Sequence, residues 1–473
     1  MSAPKCNIFV GIEDPYTRKL LLQSLERYKV ISSVVEIEPN TPVSKDQYSS
    51  SQQSIFWLEY EQIPFEEIQI ESRKTQKNSE PGQFSVVSCA YCIRKGLIRK
   101  AQMSMGLNVY IAKHPESILS TAIPETYILD LDDPEYLDEA LNECFEVQEA
   151  MEQNMQIINS GLDSSQTKKF LLKPSLTGKG TGIHIFQFRN ELEDILSNEF
   201  KLDDSDDSDE ELEINQEQNN VEMNSSYDWQ SGYGSAISQI REWVIQRYVD
   251  RPLLLSLFRN RKFHIRVYCL AVGGISVYVF REMLALFASK PYDSSYKNTK
   301  DSFSYITNTY VQTKHSDFDE ETLVKLFWEL DGSSSHSNTK IPQNKLPEKN
   351  SDRFVTSTEL EFIYQQIKDI TRDLFDAATS NFTTFQPWNN CFEMFGLDFI
   401  VNEDLQVFFL EANAYPDFKQ TGSKLSMLVS RFFDSVVEKV IDSFVISANN
   451  SKDGLSNDSN PALDFVFSKT MFG

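Results

Sequence analysis

No apolar run in the 473-residue chain approaches the length needed to span a bilayer, and the first residues lack the basic-plus-apolar pattern of a secretory leader. Cysteine is sparse: Cys6, Cys89, Cys92, Cys144, Cys269 and Cys391 are scattered, and their spacing suggests no disulfide framework. Cys89 and Cys92 have the spacing of half a zinc site, but no second pair accompanies them. The cytoplasm is therefore the expected compartment. Positive charge is also short, with 45 Lys and Arg against 70 Asp and Glu and a net charge of −25. Phosphate contacts need clustered Lys and Arg, so neither direct nucleic-acid binding nor membrane binding is expected. The chain shows no internal repeat, no persuasive Ser or Cys triad, and no Gly-Lys-Ser/Thr of a Walker loop.

What the chain has is length for about three domains, and 33 Phe and 19 Tyr to fill a large core. Asn7–Gly11 reads as a strand, Glu13-Asp14-Pro15 opens a helical pattern through Leu25, and Ser54–Leu58 reads as a second strand. Strand–helix–strand predicts a small N-terminal α/β domain over residues 1–70. Residues 70–84 read as an exposed polar loop, Arg94–Lys100 as a short basic helix, and residues 134–155 as an acidic amphipathic helix. Strands and glycine turns follow from Lys168. Residues 198–229 carry an acidic block at 203–211 and too little apolar surface to fold, which predicts a disordered insertion. Residues 331–352 read as a polar insertion and 446–473 as a polar tail.

Phe395–Val401 followed by Phe408–Asn413 reads as a β-hairpin. With a turn over residues 403–406, Asp398 falls opposite Glu411, and Glu411 shares a face with Asn413. Facing carboxylates among apolar neighbours repel. A hard cation relieves that conflict. Asp, Glu and Asn supply only oxygen ligands, which suits Mg²⁺ carrying nucleotide phosphates. The competing reading is a solvated hairpin with chance acids; the clean alternation of apolar residues with the polar trio argues against it.

Phe170–Lys173 and Ile183–Phe186 flank Gly178-Lys179-Gly180-Thr181-Gly182. Alternating glycines let backbone N–H groups turn toward a phosphate, with Lys173 as a point charge beside them; an ordinary glycine-rich hairpin would look the same. Trp243–Val249 can present backbone groups to an adenine edge, or simply be core. In Arg259–Tyr268, alternation puts Lys262, His264, Arg266 and Tyr268 on one face, and Phe263, Ile265, Val267 and Cys269 on the other. The basic set is expected to face a cleft or solvent, with Arg281 adding to the same surface. A cationic strip in so acidic a chain points to an anionic ligand.

In their order and spacing these elements resemble the tubulin–tyrosine ligase family of the ATP-grasp superfamily. The most specific are Phe-Leu-Leu-Lys-Pro-Ser with its glycine loop, Val-Ile-Gln-Arg-Tyr, Arg-Lys-Phe-His-Ile-Arg, Tyr-Ile-Thr-Asn, and Phe-Gly-Leu-Asp-Phe through Leu-Glu-Ala-Asn. The resemblance implies an α/β (α+β) class of three parts: the N-terminal domain, a central domain over 85–165, and a split ATP-grasp domain over 168–445. It implies ATP and Mg²⁺ as cofactors. Lys100 and Lys173 would hold ATP phosphates, Gln246, Arg247, Tyr248 and Val249 would surround the adenine, and Lys262 and Arg266 would underlie phosphates and substrate. Arg281, Thr307 and Asn308 would line the reaction site, and Asp398, Glu411 and Asn413 would ligate magnesium. The catalytic set implied is Arg266, Arg281 and Glu411. His264 stands where the family usually has an acid near ribose or substrate. The implied activity joins a free amino acid, tyrosine above all, to the C-terminal glutamate of α-tubulin or another acidic peptide through an acyl-phosphate. The chain also resembles fungal processing-body-associated members, in which the same domain serves as a binding module near mRNA-decay proteins.

Overall fold

The computed structural model describes residues 5–38, 41–48, 52–77, 84–163, 166–176, 182–204, 242–293, 302–313, 315, 319–332, 353–416, 418, 426–446 and 461–470. Among these, no helix is long and apolar enough to cross a membrane. Contacts divide the chain into two units, residues 1–123, 251–293 and 301–473 in one and 124–250 and 294–300 in the other. The class is mixed α/β, in three sheets.

The first unit opens with a sheet of order β2-β1-β3-β4, made from β1 (Cys6–Gly11), β2 (Ile31–Glu36), β3 (Gln53–Leu58) and β4 (Val86–Ser88). All its pairings are parallel. Asp14 caps the helix Pro15–Leu25 by accepting from the Thr17 N–H at 3.0 Å, and Pro15 has no N–H to leave unpaired there. Residues 70–77, expected as loop, instead continue the helix Phe65–Lys77. Glu66 and Glu67 favour its positive N-terminal end, and Ile68 and Ser72, four apart, are buried. The polar composition hid that spacing.

The larger sheet of this unit is organised around β9 (Phe263–Val272). Along one edge of β9 runs β13 (Phe392–Val401), which then pairs with β14 (Val407–Asn413). Its other edge is shared by β11 (Leu284–Phe287) and β10 (Ser276–Phe280). Beyond them lie β12 (Val324–Leu326) and β15 (Leu463–Ser468). Within the span expected as a polar tail, β15 is thus a paired edge strand. Alternation along β9 gives two apolar faces: Phe263, Ile265, Val267 and Cys269 pack with Ile363, Ile367 and Leu374 of the helix Ser357–Thr379. Tyr268, Leu270 and Val272 pack with Val429, Phe432 and Val436 of the helix Ser426–Ile441.

The second unit is an antiparallel sheet of order β5-β8-β6-β7, from β5 (Thr126–Asp130), β6 (Phe170–Pro174), β7 (His184–Phe186) and β8 (Glu242–Arg247). The helices Phe145–Asn159 and Arg189–Asp204 contribute Met151 and Leu196 to a core with Leu129, Phe170, Leu172, Trp243 and Ile245. The acidic helix expected over 134–155 is interrupted at Cys144, whose thiol donates to the Ile128 carbonyl at 3.3 Å. Residues 198–204, expected to be disordered, complete the helix Arg189–Asp204. The rest of that insertion, residues 333–352 of the second one, and Gly178–Thr181 lie outside the described residues.

Candidate functional site

On the face of the larger sheet that carries Tyr268 and Leu270, the polar ends of three strands meet. Asp398 of β13 lies opposite Arg266 of β9 on one side and Glu411 of β14 on the other, and Gly396 lies opposite Asn413. The facing acids arise by a route the sequence did not suggest. Val401 pairs with Val407, so the turn occupies residues 402–406, and the ladder shifts between Asp398 and Phe399. Without that shift Asp398 would face Leu410. The extra residue on β14 lets Phe409 and Ala412, three apart, both stay buried. Gly396 sits in a close approach: a Cβ there would meet the Pro416 ring at 3.3 Å, a tight contact, and the Arg266 Cδ at 3.4 Å, an ordinary one.

Each carboxylate already has a cationic side chain beside it. Arg266 forks onto Asp398, Nε to Oδ1 and Nη2 to Oδ2 at 2.9 Å, with both residues almost fully buried. Burial works against the Arg266 charge, but the Asp398 carboxylate outweighs it and holds the guanidinium above its ordinary value. Lys100 Nζ lies 3.7 Å from Glu411 Oε2. The repulsion expected between the facing acids is thus relieved by Arg266 and Lys100 before any metal is considered. Asn413 donates to Glu411 Oε1 at 3.5 Å through its amide nitrogen.

His264, two residues before Arg266 on the same face, is 4% exposed. Its Nδ1 is 2.7 Å from Thr307 Oγ1, and its Nε2 lies 3.9 Å from Asp398 Oδ1 without a hydrogen bond. Burial holds the imidazole down to about 4, partly opposed by Asp398. Lys262 and Arg266 are buried too, so the basic strip does not face solvent. Asn308 lies next to Thr307, its carbonyl accepting from the Val311 N–H at 3.1 Å.

Arg281 does not join this group. It follows Val277 and Val279, which pair with Ala271 and Cys269 and lie on the opposite face. There its guanidinium sits over the rings of Trp328 and Tyr364 at 4.6 and 4.9 Å and pairs with Glu361 at 2.8 Å. Alternation within one strand cannot fix phase relative to another; the register does.

In the second unit, Lys173 and Gln246 share the sheet face turned away from the helices. Lys173 Nζ donates to Gln246 Oε1 at 2.6 Å, and Gln246 Nε2 donates to Thr126 Oγ1 at 3.2 Å. Thr126 donates in turn to the Pro124 carbonyl at 2.7 Å. This chain of bonds orients a buried ammonium, and sequence reading missed Thr126 because nothing local to residue 126 indicates it. Arg247 is held by the Lys169 carbonyl at 2.9 Å and Asp250 at 3.0 Å, and the Tyr248 N–H donates to the same carbonyl at 2.9 Å. Tyr248 is buried and Val249 half-buried.

Sequence reading also missed Glu393, fully buried and paired with Arg94, which stacks over Tyr60 at 4.0 Å. Arg94 lines a cavity of about 370 Å³ with Tyr60, Cys92, Lys95, Arg99 and Thr383.

Among the described residues, no three His, Cys, Asp or Glu side chains are placed to hold a metal by themselves. Mg²⁺ does not require that: with nucleotide it takes one or two carboxylates and draws its other ligands from phosphates and water. Asp398 and Glu411, with the amide oxygen of Asn413, fit such a partial set.

The chain matches the tubulin-tyrosine ligase family over residues 89–452. It is 36% identical over 402 residues to a probable tubulin–tyrosine ligase of Schizosaccharomyces pombe, covering 85% of each chain. To the probable tubulin–tyrosine ligase PBY1 of Saccharomyces cerevisiae it is 34% identical over 457 residues, covering 94% of this chain but 53% of that one. It therefore spans about half the length of that relative. Among solved structures, the C-terminal domain of K. lactis Pby1, described as an ATP-grasp enzyme interacting with the mRNA decapping enzyme Dcp2, matches with a TM-score of 0.59 and 26% identity over 99% of this chain and 100% of that one. The chain belongs to the tubulin-tyrosine ligase family of ATP-grasp enzymes.

Proposed function

We propose that the protein is an ATP-dependent carboxylate–amine ligase that adds a free amino acid, tyrosine first among candidates, to the C-terminal glutamate of α-tubulin. The observation that carries this reading is the cluster of Asp398, Glu411 and Asn413 beside Arg266 in a chain of this family. A carboxylate does not condense with an amine in water because oxide is a poor leaving group. In the proposed reaction an acceptor carboxylate oxygen attacks the γ-phosphorus of ATP, the bond to the β–γ bridging oxygen breaks, and ADP leaves. The amine then attacks the acyl carbon, phosphate departs, and the amine proton is lost.

Charge gathers on the transferring phosphoryl group, so this is where the cations are needed. Mg²⁺ held by Asp398, Glu411 and Asn413 would supply a compact positive charge there. Arg266 is fixed by its fork with Asp398 and can donate without reorganising, and Lys100 is the second cation at this end. Lys262 belongs to the same buried polar face, and Thr307 with Asn308 follows beside His264. In the second unit Lys173, oriented by Gln246, serves a phosphate, and Arg247, Tyr248 and Val249 serve the base. The packing of Arg281 against Glu361 leaves it out of this assignment.

The test is incorporation of labelled tyrosine into tubulin lacking its last residue, with ATP and Mg²⁺. Wild-type protein should incorporate label and Glu411→Gln should not. A second reading, an ATP-binding interaction module with little ligase activity, is supported by the likeness to the K. lactis protein described as interacting with Dcp2. ATP binding without incorporation, across mixed amino acids and acidic acceptors followed by mass spectrometry, would favour it. Placement in the cytoplasm is part of either proposal.

A further inference from the structure

Beyond Asn413, where β14 ends, a run of aromatic rings lies beside the carboxylate cluster. Gly396 is opposite Asn413 on one side and Tyr268 on the other, and the Pro416 ring lies against it. The Tyr268 ring is 5.2 Å from that of Phe418 and 5.1 Å from that of Phe432, and all three are almost fully buried. Tyr415 continues this run, edge-on to Phe418 at 6.4 Å, yet it is 48% exposed. A lone exposed ring is ordinary on a protein surface. This one is two residues from Asn413 and is fixed at its polar end.

The Tyr415 hydroxyl shares a hydrogen bond with the Thr17 side chain, and the Thr17 hydroxyl donates to Asp14 Oδ2 at 2.5 Å. Burial, and then the Glu59 and Asp14 carboxylates, hold the Tyr415 hydroxyl well above its ordinary ionisation range. The exposed area therefore belongs to the ring and not to its polar end. A ring anchored in this way loses little freedom when a flat group covers it. Charge decides which reactant does so. ATP and the acidic acceptor peptide of the proposed ligation are both anionic, and Glu59 and Asp14 repel them. A free amino acid brings an ammonium, which those acids favour.

We propose that Tyr415 is a wall of the donor pocket, its ring stacking on the side chain of the incoming amino acid, so that aromatic donors are taken in preference to glutamate and glycine. The inference rests on the ligase reading and adds to it the residue that selects the donor. Contact between two aromatic rings corresponds to about 2- to 12-fold in affinity beyond the area it covers. Glycine offers no ring, and the second carboxylate of glutamate meets repulsion from Glu59 and Asp14. Tyr415 acts on donor binding and leaves phosphoryl transfer to the cluster beside it.

The full chain is given Mg-ATP, tubulin lacking its last residue, and one labelled donor at a time: tyrosine, phenylalanine, tryptophan, glutamate or glycine. An aromatic donor should be incorporated with the highest kcat/KM, and this measurement needs no variant to fold. In Tyr415→Leu the KM for that donor should rise about 2- to 12-fold, with kcat and the calorimetric affinity for Mg-ATP little changed. Tyr415→Phe keeps the ring and should stay close to wild type. Incorporation of glutamate or glycine in preference to every aromatic donor overturns this inference and leaves the ligase reading standing. So does an unchanged donor KM in Tyr415→Leu. No incorporation of any donor by folded, ATP-binding protein overturns both.

Discussion

Asp398→Asn tests whether the acid of β13 is a structural partner before it is a metal ligand. Its carboxylate is 4% exposed and takes both arms of the Arg266 guanidinium, itself 7% exposed. An amide in its place accepts one N–H through its oxygen and sets its own NH₂ against the other, donor facing donor. Breaking a buried pair while leaving one charge behind costs about 3–5 kcal/mol. Arg266→Gln should cost a similar amount. The double variant should lose less than the sum of the two by about 1–3 kcal/mol, since the remaining amides can bond to each other. Urea midpoints without nucleotide, converted with the measured slope, give these values. If Asp398→Asn unfolds at the same urea concentration as wild type, the fork with Arg266 is not formed in solution.

Two further expectations follow. Burial raises the Glu393 carboxyl to about 7 against the opposing effect of Arg94, so between about pH 4.5 and 7 the folded chain keeps a proton that the unfolded chain releases. This group's contribution to stability therefore falls as pH rises through that window, by up to about 1.4 kcal/mol per pH unit, and levels off above it. Glu393→Gln should flatten the profile measured by urea midpoints at successive pH values, and an unchanged slope would refute the assignment. Gly396→Ala should press on the Pro416 ring, which must give by a few tenths of an ångström beside the Arg266 stem, costing about 1 kcal/mol and weakening Mg-ATP binding in calorimetry. Unaltered affinity would mean that Arg266 is not held as tightly as its contacts indicate.

The pairing of Asp398 with Glu411 was legible because apolar residues alternate with polar ones on both strands of the hairpin, and such a pattern constrains register. The bulge at Leu410 was not legible, because a turn that takes in residue 402 and an unpaired residue on β14 shift the register in opposite senses and leave the same pair. Nor was the pairing of Asp398 with Arg266, since residues 132 positions apart show no trace of adjacency until β9 and β13 are aligned. Arg281 misled for the same reason: a strand's own alternation says which residues share a face, never which face of the sheet it is. The helix over Phe65–Lys77 was hidden because, among its described side chains, only Ile68 and Ser72 are buried, too few to stand out in a polar segment. Lys173 stood out by sequence as a cation beside glycines, whereas the Gln246–Thr126 support behind it is a property of the assembled sheet.

β15 has a consequence for biogenesis. It pairs with β10 from far along the chain, Phe280 meeting Leu463 and Ser276 meeting Ser468. During synthesis β10 therefore emerges with an open row of N–H and C=O groups, and its cover arrives only after the intervening stretch has been made. An uncovered sheet edge is a template for any passing strand. Chains cut short before Leu463 would keep Asp398 and Glu411 yet tend to stick to one another, so that solubility fails before the candidate site is touched.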